Sequence, residues 1–367
     1  MKVVQVCPSY PPYVGGVGTH VENLSRELAN RGLEVEIYTL DPKGTCDKLQ
    51  VSDSVVVRRF RGSYFQGPYS FSRDLLESLK DASADIVHAH DFKTIIPLTA
   101  AIAKKTNKIK LALTMYYHGT GHTFLWNILF QTYRRVFGKP ILKSSDLTIC
   151  TSKYEEELVL KHFKKISNLQ IIPCCINEEL YSRTQRSKEE TRFKILFVGR
   201  LEAYKGVQFL LRGFHMLLAD LDAELWIVGN GPFKDYLTSL SRKLKIADKV
   251  TFSDKVGSEV LSEYLSADLV VVPSLLESFN LVAIEALACG TPVLTTPLGE
   301  ATVLAKKGWC LEISNPKDIR ELYEKMKRIL TGSITFDLHS IRSQILENYS
   351  SERIADITLA AYERILA

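Results

Sequence analysis

The sequence has no long apolar run. Its most lipophilic short stretch, FLWNILF at 124–130, is far below the roughly 20 residues that span a bilayer. No secretory leader is visible either. Met1 and Lys2 run straight into the strand-like KVVQVC, so a protein without a signal peptide is expected. Cysteine is sparse and scattered: the seven thiols stand at 7, 46, 150, 174, 175, 289 and 310, and no pair has zinc-ligand spacing. Reduced, partly buried thiols in a cytoplasmic protein are the expectation. The net charge is only +5 over 367 residues, too small to imply nucleic acid as a partner. Gly15, Gly16 and Gly18 lack the third glycine that a G-x-G-x-x-G fingerprint would need, which weakens a dinucleotide reading.

The composition that is present belongs to a soluble globular chain, 46% hydrophobic and 24% charged. Its length exceeds one ordinary core, so two domains are expected. Short β-branched runs recur through the first half: KVVQVC, EVEIYTL, SVVVRRF, DIVHAH, KLALTM, LTIC and LQIIPC. Helical patterns separate several of them. THVENLSRELANRG places Val21, Leu24 and Leu28 on one face and ends at Gly32. SRTQRSKEETR, 182–192, contains no apolar side chain and reads as a linker. The alternation then restarts with KILFVG, AELWIVG, KVTFSD, LVVVPS and PVLTT. Strands alternating with helices imply α/β architecture with mostly parallel sheets. The expected organisation is a domain at 1–181, a linker at 182–192, a second domain at 193–349 and a terminal helix at 350–367. The helix needs a partner for Ile354, Ile357, Ala361 and Ile365, and Ser350 is an imperfect cap because Arg353 stands where a capping box has Glu or Gln.

Charge is unevenly distributed. Residues 1–185 carry 24 Lys and Arg against 18 Asp and Glu, a balance of +6; residues 186–367 carry 23 against 24, a balance of −1. From Lys104 to Lys143 there are eight basic residues and no acidic one. Such a stretch is either a solvated helical face or a surface for phosphates or anionic lipid.

Several loops suit an anion. After the first strand, Gly15, Gly16 and Gly18 open a helix, where backbone can approach a ligand and free N–H groups favour negative charge; the plain alternative is a tight turn. In ILFVGRLEAYKG, Gly199 and Arg200 end a strand and Lys205 precedes a helix. Ligands of open α/β sheets bind beyond the carboxyl ends of strands, so Arg200 and Lys205 stand where two cations can neutralise a diphosphate. Gly229-Asn230-Gly231-Pro232 is a turn by its local chemistry, and also a candidate backbone wall for a nucleobase.

ESFNLVAIE, 277–285, puts Glu277 just before a helix start near Asn280 and Glu285 more than one turn inside. Eight helical residues rise about 12 Å, so the carboxylates suit two separated hydroxyl-bearing groups of one elongated ligand. Free N–H groups between them suit a phosphate. The alternative is a dipole partner and a solvated helix residue.

This segment resembles the E-x7-E motif of retaining glycosyltransferases of the GT-B fold, particularly glycosyltransferase family 4. FVGRLEAYKG, IVGNGP and ESFNLVAIEALACGTPVL are similar, in order, to that family's nucleotide-sugar domain, and PSYPPYVGGVGTHVENLSRELANRG to its first loop and helix. The resemblance spans nearly the whole chain. It implies two Rossmann-like doubly wound domains facing a central cleft, with the last helix crossing back to the N-terminal domain. It implies that Glu277 contacts the donor sugar's hydroxyls, Glu285 the ribose, and Arg200 and Lys205 the diphosphate, with the backbone near Gly16 approaching it. His118 in TMYYHGTGH matches the family's His-Gly pair near the sugar. The candidate catalytic residues are therefore His118, Glu277, Arg200 and Lys205. The candidate donor-binding set is Gly15, Gly16, Arg200, Lys205, Gly229, Gly231, Val256, Glu277, Phe279, Asn280, Leu281 and Glu285.

Three departures stand out. Asn280 occupies a position that is usually glycine, IIPCCIN replaces the usual Pro-Asn-Gly and leaves Cys174 and Cys175 without a role, and the spacing from Thr114 to His118 is longer than usual, with His122 a competitor. The reaction expected is transfer of a hexose from a UDP- or GDP-linked donor with retention, giving an α-glycoside, with no metal and no cofactor. Asp220-Leu-Asp222 reads as a solvated turn. The acceptor expected is lipid-linked or a glycan, with an anionic membrane surface as a further partner and a cytoplasmic location, peripheral on the inner membrane face. A nucleotide-sugar epimerase or hydrolase on the same fold, a non-catalytic nucleotide-sugar sensor and, more remotely, a nicotinamide oxidoreductase are the rivals.

Overall fold

The computed structural model describes residues 1–11, 15–41, 48–52, 54–62, 70–121, 123–177, 181, 192–255 and 259–367. The chain divides into two compact units, Met1–Cys175 with Ser351–Ala367, and Ile176–Ser350.

The first unit is built on one eight-stranded sheet: β1 (Lys2–Cys7), β2 (Glu34–Asp41), β3 (Lys48–Ser52), β4 (Val55–Arg61), β5 (Ile86–His90), β6 (Lys110–Thr114), β7 (Leu147–Cys150) and β8 (Leu169–Ile171). The order is β3-β4-β2-β1-β5-β6-β7-β8. All pairings are parallel except that of β3 with β4. Helices α1 (Gly16–Asn30), α2 (Arg73–Lys80), α3 (Ile96–Lys104), α4 (Phe124–Ser144) and α5 (Lys153–Phe163) lie in its connections. β1 and β5 are buried along almost their whole length. That is why they read as continuous apolar runs, since a parallel sheet carries helices on both faces.

The second unit repeats the plan with β9 (Phe193–Val198), β10 (Ala223–Val228), β11 (Val250–Ser253), β12 (Leu269–Val272), β13 (Val293–Thr295) and β14 (Leu311–Glu312). Its helices are α6 (Val207–Leu217), α7 (Lys234–Lys243), α8 (Glu259–Ser266), α9 (Leu281–Ala288), α10 (Ala301–Lys306), α11 (Ile319–Leu330) and α12 (Leu338–Tyr349). The strand order is β11-β10-β9-β12-β13-β14. The chain winds outward from β9 in one direction and then, from β12, in the other. This leaves a topological switch point between β9 and β12, the place where doubly wound sheets receive ligands. The short strands β3 and β14 were not foreseen from the sequence. β14 has two residues, too few for a periodic signal.

α1 ends as its sequence dictates. Gly32 takes φ +83°, and the Leu33 N–H reaches back to the Leu28 carbonyl at 3.2 Å, closing the last turn with a left-handed residue that glycine adopts freely.

The last helix, α13 (Ser351–Leu366), belongs to the first unit. Its Ile354, Ala355, Ala361 and Tyr362 join Val21, Leu24 and Leu28 of α1 in one buried cluster. Arg31 fastens the edge, its Nε 2.6 Å from Asp356 Oδ1 and its Nη2 2.8 Å from the Glu352 carbonyl. The Tyr362 hydroxyl lies 2.7 Å from His88 Nδ1 and accepts from Gln5 Nε2 at 3.3 Å. The His88 Nε2 in turn meets Thr114 Oγ1 at 2.7 Å, and His90 Nε2 meets Gln5 Oε1 at 2.7 Å. Burial, with nearby His20 adding to it, drives His88 down to about 3, so its ring is neutral; of this network's atoms, His90 Nδ1 is buried without a hydrogen-bond partner.

The expected boundaries move by a few residues. The first unit stops at Cys175 rather than 181 because the Ile176 N–H donates to the Tyr349 carbonyl at 2.9 Å and the Tyr181 carbonyl accepts from Arg342 Nη2 at 2.7 Å. Both partners belong to the second unit, which runs to Ser350. Of the expected linker 182–192, only Arg192 lies among the described residues. Cys175, left without a role by its sequence, donates its N–H to His20 Nδ1 at 3.1 Å. Cys7, Cys150, Cys174, Cys175, Cys289 and Cys310 are buried.

Tyr362 is fully buried. Replacing it by alanine opens a cavity beneath α13 and strands His88. Tyr362→Ala is expected to lower stability by about 3–5 kcal/mol, and Tyr362→Phe, which loses the hydroxyl, by about 1 kcal/mol. Urea denaturation of the two variants checks both the size and the order.

Candidate active site

In the second unit the candidate residues gather at the carboxyl ends of β9, β10 and β12. After β9 the chain turns through a 3-10 segment, Ala203–Lys205, and enters α6 at Gly206, φ +76°. A Cβ on Gly206 would fall 2.0 Å from the Pro273 carbonyl oxygen. Glycine is therefore required there twice over, for its left-handed backbone and for the close approach. The Leu275 N–H donates to the Tyr204 carbonyl at 2.7 Å, joining the connection after β9 to the one after β12.

That approach brings two candidate side chains together. Lys205 Nζ lies 2.6 Å from Glu277 Oε1, with the side chains 19% and 12% exposed. Ser274 Oγ donates to the same oxygen at 2.8 Å. Burial works to deprotonate Lys205, but the Glu277 carboxylate and the Tyr204 ring oxygen outweigh it and hold its pKa above the ordinary value. The site thus presents a fixed ammonium at the switch point, beside a carboxylate whose second oxygen is left for another donor. Arg200, by contrast, is largely exposed, with its Nε 3.1 Å from Glu202 Oε1. It stands at the same sheet edge without joining the pair.

Gly229 and Gly231 serve the backbone around them. A Cβ at 229 would lie 2.0 Å from the Gly199 carbonyl oxygen, and one at 231 would lie 2.4 Å from that of Leu201. The Gly199 N–H donates to Val228 O at 3.0 Å and the Leu201 N–H to Asn230 O at 2.9 Å. The two glycine turns are knitted side by side, and this packing by itself requires glycine at both positions.

ESFNLVAIE becomes a turn followed by α9. Asn280 is the N-cap, with φ +78° and ψ +61°. This left-handed conformation explains why glycine is usual at the position, and asparagine is among the residues that tolerate it. The side chain then takes on further work. Its oxygen accepts from the Ala283 N–H at 3.3 Å, and its Nδ2 donates to Thr295 Oγ1 at 2.9 Å. Phe279 is buried against Tyr349, with ring centroids 6.2 Å apart, and its carbonyl accepts from the Glu300 N–H at 2.7 Å. The Phe279 and Asn280 side chains are thus committed to holding the segment. The partly exposed Leu281 stands at the helix start, where the N–H groups of Leu281 and Val282 precede the capped one of Ala283 and have no partner within the helix.

Glu285, inside α9, is clamped by tyrosines. Tyr264 Oη donates to its Oε2 at 2.7 Å, and the Tyr181 hydroxyl also bonds to the carboxyl. Burial raises the Glu285 pKa to about 7, and the two hydroxyls only partly oppose it. Ser274, Tyr264, Tyr181 and Thr295 were not singled out from the sequence. Thr295 serves Asn280 and the others serve the glutamates, and no local pattern marks them.

The remaining candidates lie elsewhere. Gly15 caps α1 in the first unit with extended backbone and no side-chain cap. A Cβ there would meet only Ser9 Oγ, at 3.7 Å, while Gly16 begins the helix. His118, also in the first unit, has its Nε2 3.1 Å from Lys93 Nζ. The ammonium can only donate, so in this contact His118 Nε2 is the acceptor. Lys93 and its neighbour Asp91, at φ +70° after β5, were not foreseen. Val256 and His122 lie outside the described residues. Asp220 and Asp222 are engaged by lysines, Lys327 at 3.2 Å and Lys249 at 3.1 Å, in the turn that leads into β10. No group of three metal-ligating side chains occurs among the described residues.

Two parallel-sheet α/β units, with cation, carboxylates and an open helix start at one switch point, define the class: a GT-B glycosyltransferase. A model of glycosyltransferase family 4 matches residues 14–180, and one of glycosyl transferases group 1 matches residues 181–347. The chain belongs to these group 1, family 4 glycosyltransferases. An uncharacterized glycosyltransferase of Methanocaldococcus jannaschii is 27% identical, covering 99% of this chain and 98% of its own. Among solved structures, sucrose-phosphate synthase from Thermosynechococcus elongatus superposes with a TM-score of 0.80 at 23% identity, covering 99% of this chain and 98% of its own. Anabaena HepE in complex with UDP and glucose gives a TM-score of 0.78 at 18% identity, covering 99% of this chain and 100% of its own. At these identities the two structures speak for the fold.

Two outcomes are expected from the geometry of α9. Asn280→Ala, which loses the cap and keeps an unfavourable left-handed backbone, costs about 2 kcal/mol, and Asn280→Gly about half that or less; thermal melting of the pair checks the order. The second concerns pH. Because Glu285 has a folded-state pKa near 7, above its ordinary 4.5, its contribution to stability is complete below 4.5 and is lost as pH rises through about 7. Glu285→Gln should flatten the fall in melting temperature across that window; a curve identical to the parent's would refute the assignment.

Proposed function

We propose that the protein transfers a hexose from a UDP- or GDP-linked donor to an acceptor with retention, forming an α-glycoside without a metal. The observation that carries this reading is the Lys205–Glu277 pair at the β9/β12 switch point, in the connection that leads into the N-terminus of α9. When the glycosidic bond to the diphosphate breaks, negative charge grows on the leaving oxygens and the sugar becomes oxocarbenium-like. Lys205 and the α9 dipole are positioned to stabilise that growing charge without reorganising. The exposed guanidinium of Arg200 adds a second, bidentate donor. Glu277, with Oε1 occupied by Lys205 and Ser274, offers Oε2 to a sugar hydroxyl. Glu285 has lone pairs beyond those used by Tyr264 and Tyr181, and these suit the paired hydroxyls of a ribose. His118, with its Nε2 beside Lys93, is the proposed counterpart of the family's His-Gly histidine.

The complex of Anabaena HepE with UDP and glucose supports a nucleoside diphosphate sugar as donor. The sucrose-phosphate synthase carries no acceptor over to this chain. The proposed lipid-linked or glycan acceptor rests instead on the surface of the first unit.

A thermal-shift screen of UDP- and GDP-sugars tests the donor, because a true donor stabilises the fold by mass action. With the donor found, Glu285→Ala is expected to weaken its binding about tenfold or more, through the ribose. Glu277→Ala is expected to cut turnover about a hundredfold with a smaller change in affinity. Parent-like affinity and rate in both variants would sink the site assignment. Release of free sugar or of an epimer without any acceptor would replace transfer by hydrolysis or epimerisation. Tight donor binding with no turnover under any acceptor would make the protein a sensor.

A further inference from the structure

α4 leaves an apolar face in water. Phe124, Leu125, Ile128, Leu129 and Val136 are 79%, 71%, 49%, 52% and 55% exposed. Elsewhere among the described residues, large exposed apolar side chains stand singly, as is normal for a soluble surface. Here a step of about 100° per residue places all five on one side of the helix. The opposite side, with Phe130, Tyr133 and Ile141, is buried in the core of the first unit. The helix is therefore firmly seated, and its outward face is not used by the fold.

The same outward side carries charge of one sign. Arg135, Lys139 and Lys143 are exposed along it, and no acidic residue occurs between Lys104 and Lys143. Two other cations of the stretch are spent inward: Lys104 on the Ser144 carbonyl at 2.7 Å and Arg134 on the Tyr117 hydroxyl at 3.0 Å. Apolar side chains fill the first two turns and cations the last three. We propose that α4 docks this unit onto an anionic lipid bilayer, with Phe124, Leu125, Ile128 and Leu129 at the headgroup–acyl boundary and Arg135, Lys139 and Lys143 on lipid phosphates.

Charge complementarity selects this occupant. An interfacial helix combines an apolar face with basic residues and lies in the plane of the membrane, and each cation near an anionic leaflet adds attraction. A protein partner's interface core is depleted of charge. A second copy docked symmetrically would oppose cation to cation. The proposal goes beyond the donor chemistry and does not depend on it, since α4 belongs to the first unit and vesicle binding is measured without donor.

Co-sedimentation of the full chain tests it, with vesicles of phosphatidylcholine alone and with phosphatidylglycerol added, across a salt series. Binding is expected to the anionic vesicles at low salt and to fall as salt rises. Arg135→Glu with Lys139→Glu should weaken binding about thirtyfold or more, and Leu125→Ser with Leu129→Ser should reduce it comparably. All four positions are exposed, so the parent melting temperature is expected in both double variants; if one melts early, Lys139→Glu and Leu125→Ser singly take their place. No binding to anionic vesicles at low salt overturns the proposal, as does equal binding by parent and variants. So does a dimer in sedimentation equilibrium that Leu125→Ser with Leu129→Ser abolishes while vesicles bind nothing.

Discussion

The contact on which the second unit's chemistry depends is the one between Lys205 and Glu277, 72 positions apart in sequence and 2.6 Å apart in the fold. It forms because β9 and β12 are neighbours at the point where the sheet reverses its winding. Connections leaving neighbouring strands at such a point can approach each other as closely as their backbones allow. Here that limit is set by Gly206 against Pro273, where a single Cβ would close the gap. A charge pair removed from most of its water is costly to leave half-made. Ser274 and the Tyr204 carbonyl's bond to Leu275 hold the geometry that keeps it whole.

Around this pair the site is stiffened by residues that do not themselves face a ligand. Asn280 accepts a backbone strain that glycine would carry more cheaply, and in return caps α9 and ties it to Thr295. Phe279 anchors the turn from below, against Tyr349. Tyr349 also donates to Glu300 Oε1 at 2.6 Å, so α12 and the turn before α10 brace the same segment. The first unit shows the same economy in another form. Gln5, His88, His90 and Tyr362 are hydrogen-bonded to one another in the sheet interior, and through Tyr362 the last helix becomes part of the unit that the chain began.

Much of this was legible beforehand. Parallel strands buried on both faces announce themselves as β-branched runs, and the helix between 16 and 30 carries its own stop at Gly32. Arg200 and Lys205 could be placed beyond a strand end, and Glu277 and Glu285 before and inside a helix, from spacing alone. What the spacing did not show was their pairing. Lys205 and Glu277 had been assigned to separate parts of a ligand, and the fold joins them. Gly229 and Gly231 read as a ligand wall, and the fold shows neighbouring carbonyls that require glycine in any case. Ser274, Tyr181, Tyr264 and Lys93 were invisible, because a hydrogen bond across a sheet edge leaves no periodic trace in the chain.

The sequence by itself determined the fold class, the alternation of strands and helices, the kind of residues at each strand end and the one-signed charge of α4's stretch. These follow from local propensity and from burial patterns with periods of a few residues. The tertiary structure decided which of those residues meet, which are spent on packing, and which face of α4 remains in water. Those outcomes depend on strand order, since only the switch between β9 and β12 brings distant carboxylate and ammonium to one place. They also depend on the close packing of backbone on backbone, which no single segment encodes.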